Sequence, residues 1–439
     1  MEISGDAVAG APIKGPAQWT GRGLFTVAFL GIAAGLQLVD FGLQAVSLSA
    51  IQQSFQVSDT AIGALQGLAG VLVGSALAIP LARFGDQISR KRMLLCLVVV
   101  SSILMAMSGL APNFPVFFLG RSTAGIAEFA MVPLVYSMIP DLAPGHHRVA
   151  ANLSFAALMA AGASGGFYFS GALLATASDF FAGSMEPWRK GFMLLSLAGL
   201  PLLLLGTITV DPPRLAAVGD TMAGLSLRRF LMRRWRAIGL FVGVAGCLMI
   251  AVQALNQLLT LALERRFDAE PAHIGYAIGI ILLVTSVGCL PVAGFLDRLM
   301  ERHFGQAVRP LIMGLSAMLA LPAIFWMNTV QTLDGAFVVA GVFLFMTCTA
   351  NALVPTMLQD LAPPSLRARI FALWSFVVSV FCAAGPLLAG ALSDWLFEQH
   401  LLEAIIAVAV PALVLSALCA AGSFLQGLRA RRPELVPSI

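Results

Sequence analysis

Apolar residues run through this chain in long blocks, interrupted only briefly by polar ones. Windows of about 20 residues, the length that crosses a hydrocarbon core as a helix, mark twelve such blocks. They lie near 23–48, 60–82, 93–112, 114–139, 148–176, 190–209, 237–262, 274–297, 310–328, 334–358, 367–392 and 403–427. Only Pro112 and Asn113 separate the third from the fourth. Blocks of this length and uniformity predict transmembrane helices, because a helix satisfies its backbone hydrogen bonds internally.

Composition agrees. Of 439 residues, 59% are hydrophobic and 11% charged, against about 25% charged in a typical soluble domain. The charges themselves set the topology. Of the 26 Lys and Arg, 21 fall in the two tails and the even-numbered loops, 4 in the odd-numbered loops and one inside a block. The densest clusters are Arg90-Lys91-Arg92, then Arg228, Arg229, Arg233, Arg234 and Arg236, then Arg429, Arg431 and Arg432. The positive-inside bias therefore predicts cytoplasmic termini in a multi-pass protein of a plasma membrane, such as a bacterial inner membrane. The basic surplus is spent on topology, so nucleic acid is not an expected partner. The six cysteines sit in apolar blocks without metal-like spacing and read as packing residues.

The two halves resemble each other. "MIPDLAPGHHRVAA" from Met138 aligns with "MLQDLAPPSLRARI" from Met357, sharing DLAP and the arginines Arg148 and Arg367. "IGALQG" at Ile62 similarly matches "IGYAIG" at Ile274, each opening a block that ends near an aspartate, Asp86 or Asp297. The predicted fold is all-α and integral to the membrane, with twelve transmembrane helices in two pseudo-symmetric six-helix bundles. The predicted segments are a cytoplasmic tail (1–22), a first bundle (23–209), a basic cytoplasmic linker (210–236), a second bundle (237–427) and a second cytoplasmic tail (428–439). Repeated halves of this kind hold their binding site at the shared interface, near the midplane.

"ARFGDQISRKRML" (82–94) follows the second block. It resembles the signature loop of the major facilitator superfamily, Gly-x-x-x-Asp-Arg-x-Gly-Arg-Lys, matching at Asp86, Arg90 and Lys91 and departing at Ala82, Gln87 and Ser89. With "SDTAIGALQGLAG" (58–70) and "PWRKGF" (187–192), the chain looks more specifically like the spinster-type branch. The resemblance implies a major facilitator fold, with Asp86 facing the N-terminus of the eleventh helix. Asp86, Arg90, Lys91 and the second-half Asp297 would then gate the cytoplasmic face; the alternative is that these charges only set topology.

Three charges fall inside blocks rather than loops: Asp40, Arg121 and Glu128. A charge at bilayer depth costs at least about 2.5–3.5 kcal/mol on insertion scales, so these are expected to share one site. Arg121 and Glu128 lie roughly 10 Å apart on one face of the fourth helix, and Asp40 shares a face of the first with Gln37 and Gln44. Small residues of the fourth helix (Gly120, Ala124, Gly125, Ala127) would allow close approach. One arginine cannot neutralise two carboxylates, which makes Asp40 or Glu128 a candidate proton carrier. The spinster likeness implies the same roles, with Arg121 at both the proton and substrate sites. It also shows two departures: Phe41 stands where the family usually has arginine, and "AGASGG" (161–166) lacks the proline of the antiporter motif.

In the second half the polar intramembrane residues are neutral: Gln253, Asn256 and Gln257, then Thr349 and Asn351. The expected substrate site joins Gln37, Gln44, Arg121 and Glu128 to Gln253, Asn256 and Asn351. That cavity is charged on one wall and neutral on the other, which suits an amphipathic molecule. No P-loop lysine, HExxH, GxSxG or metal-spaced His/Cys set occurs, so neither ATP-driven pumping nor catalysis is expected, and no cofactor.

The reading is a monomeric secondary transporter, proton-coupled, whose partners are protons, the bilayer and a small-molecule or lipid-like substrate. The cargo would be an amphipathic lipid, of lysophospholipid or sphingolipid type, or an organic anion, moved by alternating access. The alternatives are a carrier of sugars, drugs or small carboxylates, and a receptor that binds without transporting.

Overall fold

The computed structural model describes residues 20–73, 89–143, 148–181, 183–211, 227–363 and 366–431. Among them there is helix and no strand. In the first half, α1 covers Gly21–Val46, α2 Leu48–Phe55 and α3 Asp59–Ala64, the last widening into a π-helical stretch, Leu65–Val73. There follow α4 (Arg90–Gly109), α5 (Phe114–Leu142), α6 (Arg148–Tyr168), α7 (Ser170–Phe180), α8 (Pro187–Leu197) and α9 (Gly199–Ile208). A short helix, α10 (Leu227–Arg233), precedes the second half. That half comprises α11 (Trp235–Phe267), α12 (Pro271–Phe304), α13 (Val308–Met327), α14 (Leu333–Asn351), α15 (Val354–Leu361), α16 (Arg367–Trp395) and α17 (Leu401–Arg431).

Among the described residues, nine helical segments are long and apolar enough to cross a membrane, and α6 with α7 makes a tenth, bent by 66°. α5 occupies the predicted fourth span, and α3 with its π-helical extension begins the second. Leu204, Val338 and Phe295 are each 65% exposed or more, facing outward. Large apolar side chains in that position belong against lipid, not water.

Three boundaries differ from the sequence reading. The fifth span breaks at Phe169 instead of running straight. The tenth breaks after Asn351. The seventh reaches from Trp235 to Phe267, well beyond 237–262.

Glycines fix the closest helix crossings. A Cβ on Gly162 would lie 2.4 Å from the Cα of Gly35, and one on Gly42 would lie 2.1 Å from the backbone of Gly166. The "AGASGG" segment thus seats α6 directly on α1. The expectation that the small residues of the fourth helix serve that purpose is corrected at Gly120, which faces Ser108 of α4.

The halves meet along two seams. α12 packs on α6, where a Cβ on Gly279 would clash with the backbone of Ser164 and Tyr168. α3 and its extension pack on α16, where Gly63 and Gly67 abut the carbonyls of Pro386 and Ala383. Ile62 and Ile274, the matched positions of the internal repeat, are both fully buried.

Candidate functional site

The buried arginine is paired as expected. Arg121 Nη1 donates to Asp40 Oδ2 at 2.6 Å, and the two side chains are 2% and 0% exposed. The Arg121 guanidinium also lies over the Phe192 ring, 5.5 Å from its centroid. Such a pair replaces the water that each charge gave up; removing one partner would strand the other at a cost of roughly 3–5 kcal/mol. Glu128 lies two turns along α5 from Arg121, and its side chain is outside the described residues.

Gln37 and Gln44 flank Asp40 on α1, but their side chains diverge. Gln37 Nε2 donates to Ser101 Oγ of α4 at 2.7 Å, and the Ser101 hydroxyl in turn donates to the Val98 carbonyl at 3.0 Å. Beside them lies a small cavity of about 10 Å³, lined by Gln37, Ser101 and Ser102 among others. Gln44 Nε2 donates to Gln66 Oε1 at 2.5 Å, and Gln66 Nε2 donates to the backbone carbonyl of Gln257 at 3.0 Å. A carbonyl can only accept, so it fixes the direction of the whole chain from α11 back to α1. Gln66 stands in the π-helical stretch, a backbone form found often at working positions.

In the second half Gln253 and Asn256 are half-buried, and Asn351 is exposed at the end of α14.

Arg90, Lys91 and Asp297, the described gating candidates, each have partners within their own half. Arg90 Nη2 donates to Asp141 at 2.5 Å, and Asp141 is the aspartate of the first DLAP. Arg309 contacts Asp360, the aspartate of the second DLAP, and also Asp297, with Arg309 Nε 3.3 Å from Asp297 Oδ1. The repeat is therefore a structural ion pair used twice, each time across 51 residues. Lys91 Nζ binds the carbonyls of Thr207 and Thr209 at 2.8 and 2.6 Å, neutralising the C-terminal end of α9. Asp86 lies outside the described residues.

An ion pair that joins the halves lies at the opposite end, and the sequence reading missed it. Arg265 of α11 grips Asp59 of α3 with both terminal nitrogens, Nη1 to Oδ2 at 2.8 Å and Nη2 to Oδ1 at 2.6 Å. This forked geometry is the strong form of an ion pair. Ser393 Oγ donates to Asp59 Oδ2 at 2.6 Å, and Gln52 links to both partners. Next to it, Asp394 of α16 accepts from the backbone of Asp59 and Thr60 and from the Thr60 hydroxyl, at 2.6–3.1 Å. A carboxylate of one half thus caps a helix of the other, where the helix dipole favours it. Gly390 makes room for this, since a Cβ there would lie 2.2 Å from the Asp59 carbonyl.

The described helices thus form two halves, with one ion pair buried between α1 and α5 of the first. Residues 30–386 match the family model of the Major Facilitator Superfamily. The chain belongs to that superfamily. It is 26% identical to an MFS-type efflux pump of Mycolicibacterium smegmatis, over 86% of each chain. It is 24% identical to a gentisate transporter of Corynebacterium glutamicum, over 84% of this chain and 80% of that one. Among solved structures, a bacterial homolog of the human lysosomal transporter Spinster matches in its inward-facing unoccupied and occupied forms. The TM-scores are 0.78 and 0.79, at 20% identity, over 94% of this chain and 98% of that one. These are transporters, and the protein is one of them, not an enzyme.

Proposed function

We propose that the protein is a proton-coupled secondary carrier moving an organic anion with an apolar body by alternating access. The observation that carries this reading is the Asp40–Arg121 pair, buried at 2.6 Å in a superfamily of carriers. Protonation of Asp40 would release Arg121 to an anionic group of the substrate, and return of the pair would expel one or the other. Glu128, on the same helix as Arg121, would share the proton. Gln253, Asn256 and Asn351 would contact the uncharged part of the cargo, and Gln37 and Gln44 would hold α1 in register around Asp40.

In this reading the structure is inward-facing. The Asp59–Arg265 lock closes the end away from the basic loops, and both termini and those loops face the cytoplasm of a bacterial cell. Asp86, Arg90, Lys91 and Asp297 would close the cytoplasmic end in the other half of the cycle. Residues 23–209 and 237–427 would move as two bodies, joined through 210–236, in a monomer.

The cargo class rests on different supports. An organic acid is favoured by the likeness to a gentisate transporter. A drug-like compound is favoured by the efflux pumps among the relatives. A lipid-like cargo is suggested by the spinster-type motifs.

Purified protein in sealed liposomes containing a pH-sensitive dye would separate them. The ligands to add are a hydroxybenzoate, chloramphenicol and a lysophospholipid in turn. The expected result is ligand-dependent proton movement with the organic acid. Asp40→Asn should abolish that movement while ligand still binds. Undiminished coupled flux in both Asp40→Asn and Glu128→Gln would remove the buried charges from the mechanism. Binding without flux for every ligand would instead favour a receptor.

A further inference from the structure

α10 and the first residues of α11 form a surface that the transport cycle does not use. Arg228, Arg229, Arg233, Arg234 and Arg236 are all exposed, and no acidic residue occurs from Leu227 to Leu263. Leu227 and Phe230 point the other way and pack against the main hydrophobic core. The short helix is therefore seated on the second half, with its arginines held outward.

Two large apolar side chains share the outward face: Met232 is 60% and Trp235 64% exposed. The Arg236 guanidinium lies over the Trp235 ring, 5.4 Å from its centroid. An arginine cluster interleaved with an exposed tryptophan and methionine matches neither a water-facing surface nor a purely lipid-facing one. It suits the boundary between headgroups and acyl chains.

The position of Trp235 fits that boundary. It opens α11, a 33-residue helix about 50 Å long at 1.5 Å per residue, longer than the roughly 30 Å hydrocarbon core. At the other end of the molecule Trp326 and Trp395 close α13 and α16 and are 65% and 80% exposed. Tryptophans at both edges are the aromatic belts of a spanning protein. Trp235 belongs to the belt on the basic side.

We propose that residues 227–236 form a binding surface for anionic phospholipid headgroups, in which Arg228, Arg233, Arg234 and Arg236 contact lipid phosphates while Trp235 and Met232 enter the acyl boundary. This is a lasting contact of the folded protein, beyond the guidance that basic loops give during insertion. The partner is fixed by complementary charge: a cluster of exposed arginines without an acid faces a leaflet that carries negative headgroups.

The test uses the full-length protein reconstituted in equimolar phosphatidylglycerol and phosphatidylcholine, then released into detergent for native mass spectrometry. Wild type is expected to retain phosphatidylglycerol over phosphatidylcholine by roughly tenfold, on the scale of basic residues at an anionic surface. The preference should shrink as salt is raised. R228Q/R233Q/R234Q/R236Q should fall to near parity, and the corresponding lysine variant should keep most of the preference. W235A should lose part of it with all charges in place. If the glutamine variant fails to fold, the lysine variant and the salt dependence of wild type decide the matter. Equal retention in the glutamine variant, or no salt dependence, would overturn the proposal. Displacement of the lipid by millimolar inorganic phosphate would overturn it too, assigning the surface to a soluble anion.

Discussion

The two ends of this molecule solve the same electrostatic problem differently. At the basic end, Arg90–Asp141 and Arg309–Asp360 each brace one half internally, at matching places in the repeat. At the other end Arg265–Asp59 crosses between halves, 206 residues apart, and Asp394 caps a helix that is not its own. The first kind of contact makes a half rigid. The second ties the two halves to each other, and under the proposed cycle it would break for them to part. Internal symmetry therefore accounts for the bodies, and asymmetry for the conformation.

Arg265→Gln tests that distinction with the largest expected effect. It leaves the Asp59 carboxylate, 1% exposed, without its counter-charge, a loss of about 3 kcal/mol. The α3 and α16 segments should then exchange backbone hydrogens roughly a hundredfold faster, as read by mass spectrometry. Arg90→Gln and Arg309→Gln should leave the contact between the halves intact. Each is expected to destabilise its own half by about 1–3 kcal/mol, seen as a lower melting temperature, with exchange at α3 and α16 unchanged. Faster exchange there in Arg90→Gln would erase the difference between the ends.

A smaller effect is expected midway between them. Gln66→Leu removes the donor to the Gln257 carbonyl and the acceptor for Gln44, a loss of about 1–3 kcal/mol if both groups stay buried. Its signature is faster opening between the halves without loss of either half, because the link crosses from α3 to α11.

The smallest effect concerns Glu186, in the loop before α8. Burial pushes its carboxyl up, but Ser54, Arg189 and Trp188 outweigh that and hold it below the ordinary glutamate value. A carboxylate with a lowered value in the folded state stabilises above the unfolded value and stops doing so as pH falls through the folded one. Acidification through the glutamate range should therefore cost wild type slightly more stability than Glu186→Gln. The side chain is 43% exposed, which keeps the difference small.

The sequence disclosed the bodies better than the lock. Long apolar blocks place helices reliably, since the bilayer forbids most other structure; the DLAP repeat reads only as a sign of duplication, and its two aspartates prove to be members of the internal ion pairs. Three intramembrane charges had to find one another, and Asp40 and Arg121 do. The Asp59–Arg265 contact escaped notice because each residue lies at a span edge, where charge is unremarkable. A signal was present nonetheless. Four cations, Arg189, Lys190, Arg265 and Arg266, lie at odd-numbered loops, against the positive-inside bias, and the three arginines share a feature. All three are tied down: Arg189 to Glu186 and the Ala111 carbonyl, Arg265 to Asp59, and Arg266 to the carbonyls of Met327, Asn328 and Val330. A cation on the disfavoured side is a cation with a structural task. The break at Phe169 was not legible, since that residue is neither Pro nor Gly and the hydropathy continues through it; the break after Asn351 carried a signal that went unused, Pro355 in the first turn of α15.

The most direct test of the account is a pair of distances followed together. Spin labels placed across the halves at the Asp59 end, and across them at the basic end, would be read by pulsed electron resonance in nanodiscs. The protein at rest should show a short, narrow distance at the Asp59 end and a longer one at the basic end. Lowering the pH with substrate present should lengthen the first and shorten the second. Distances that stay fixed, or that lengthen at both ends at once, would contradict a carrier built from two rigid halves rocking about the Asp40–Arg121 site.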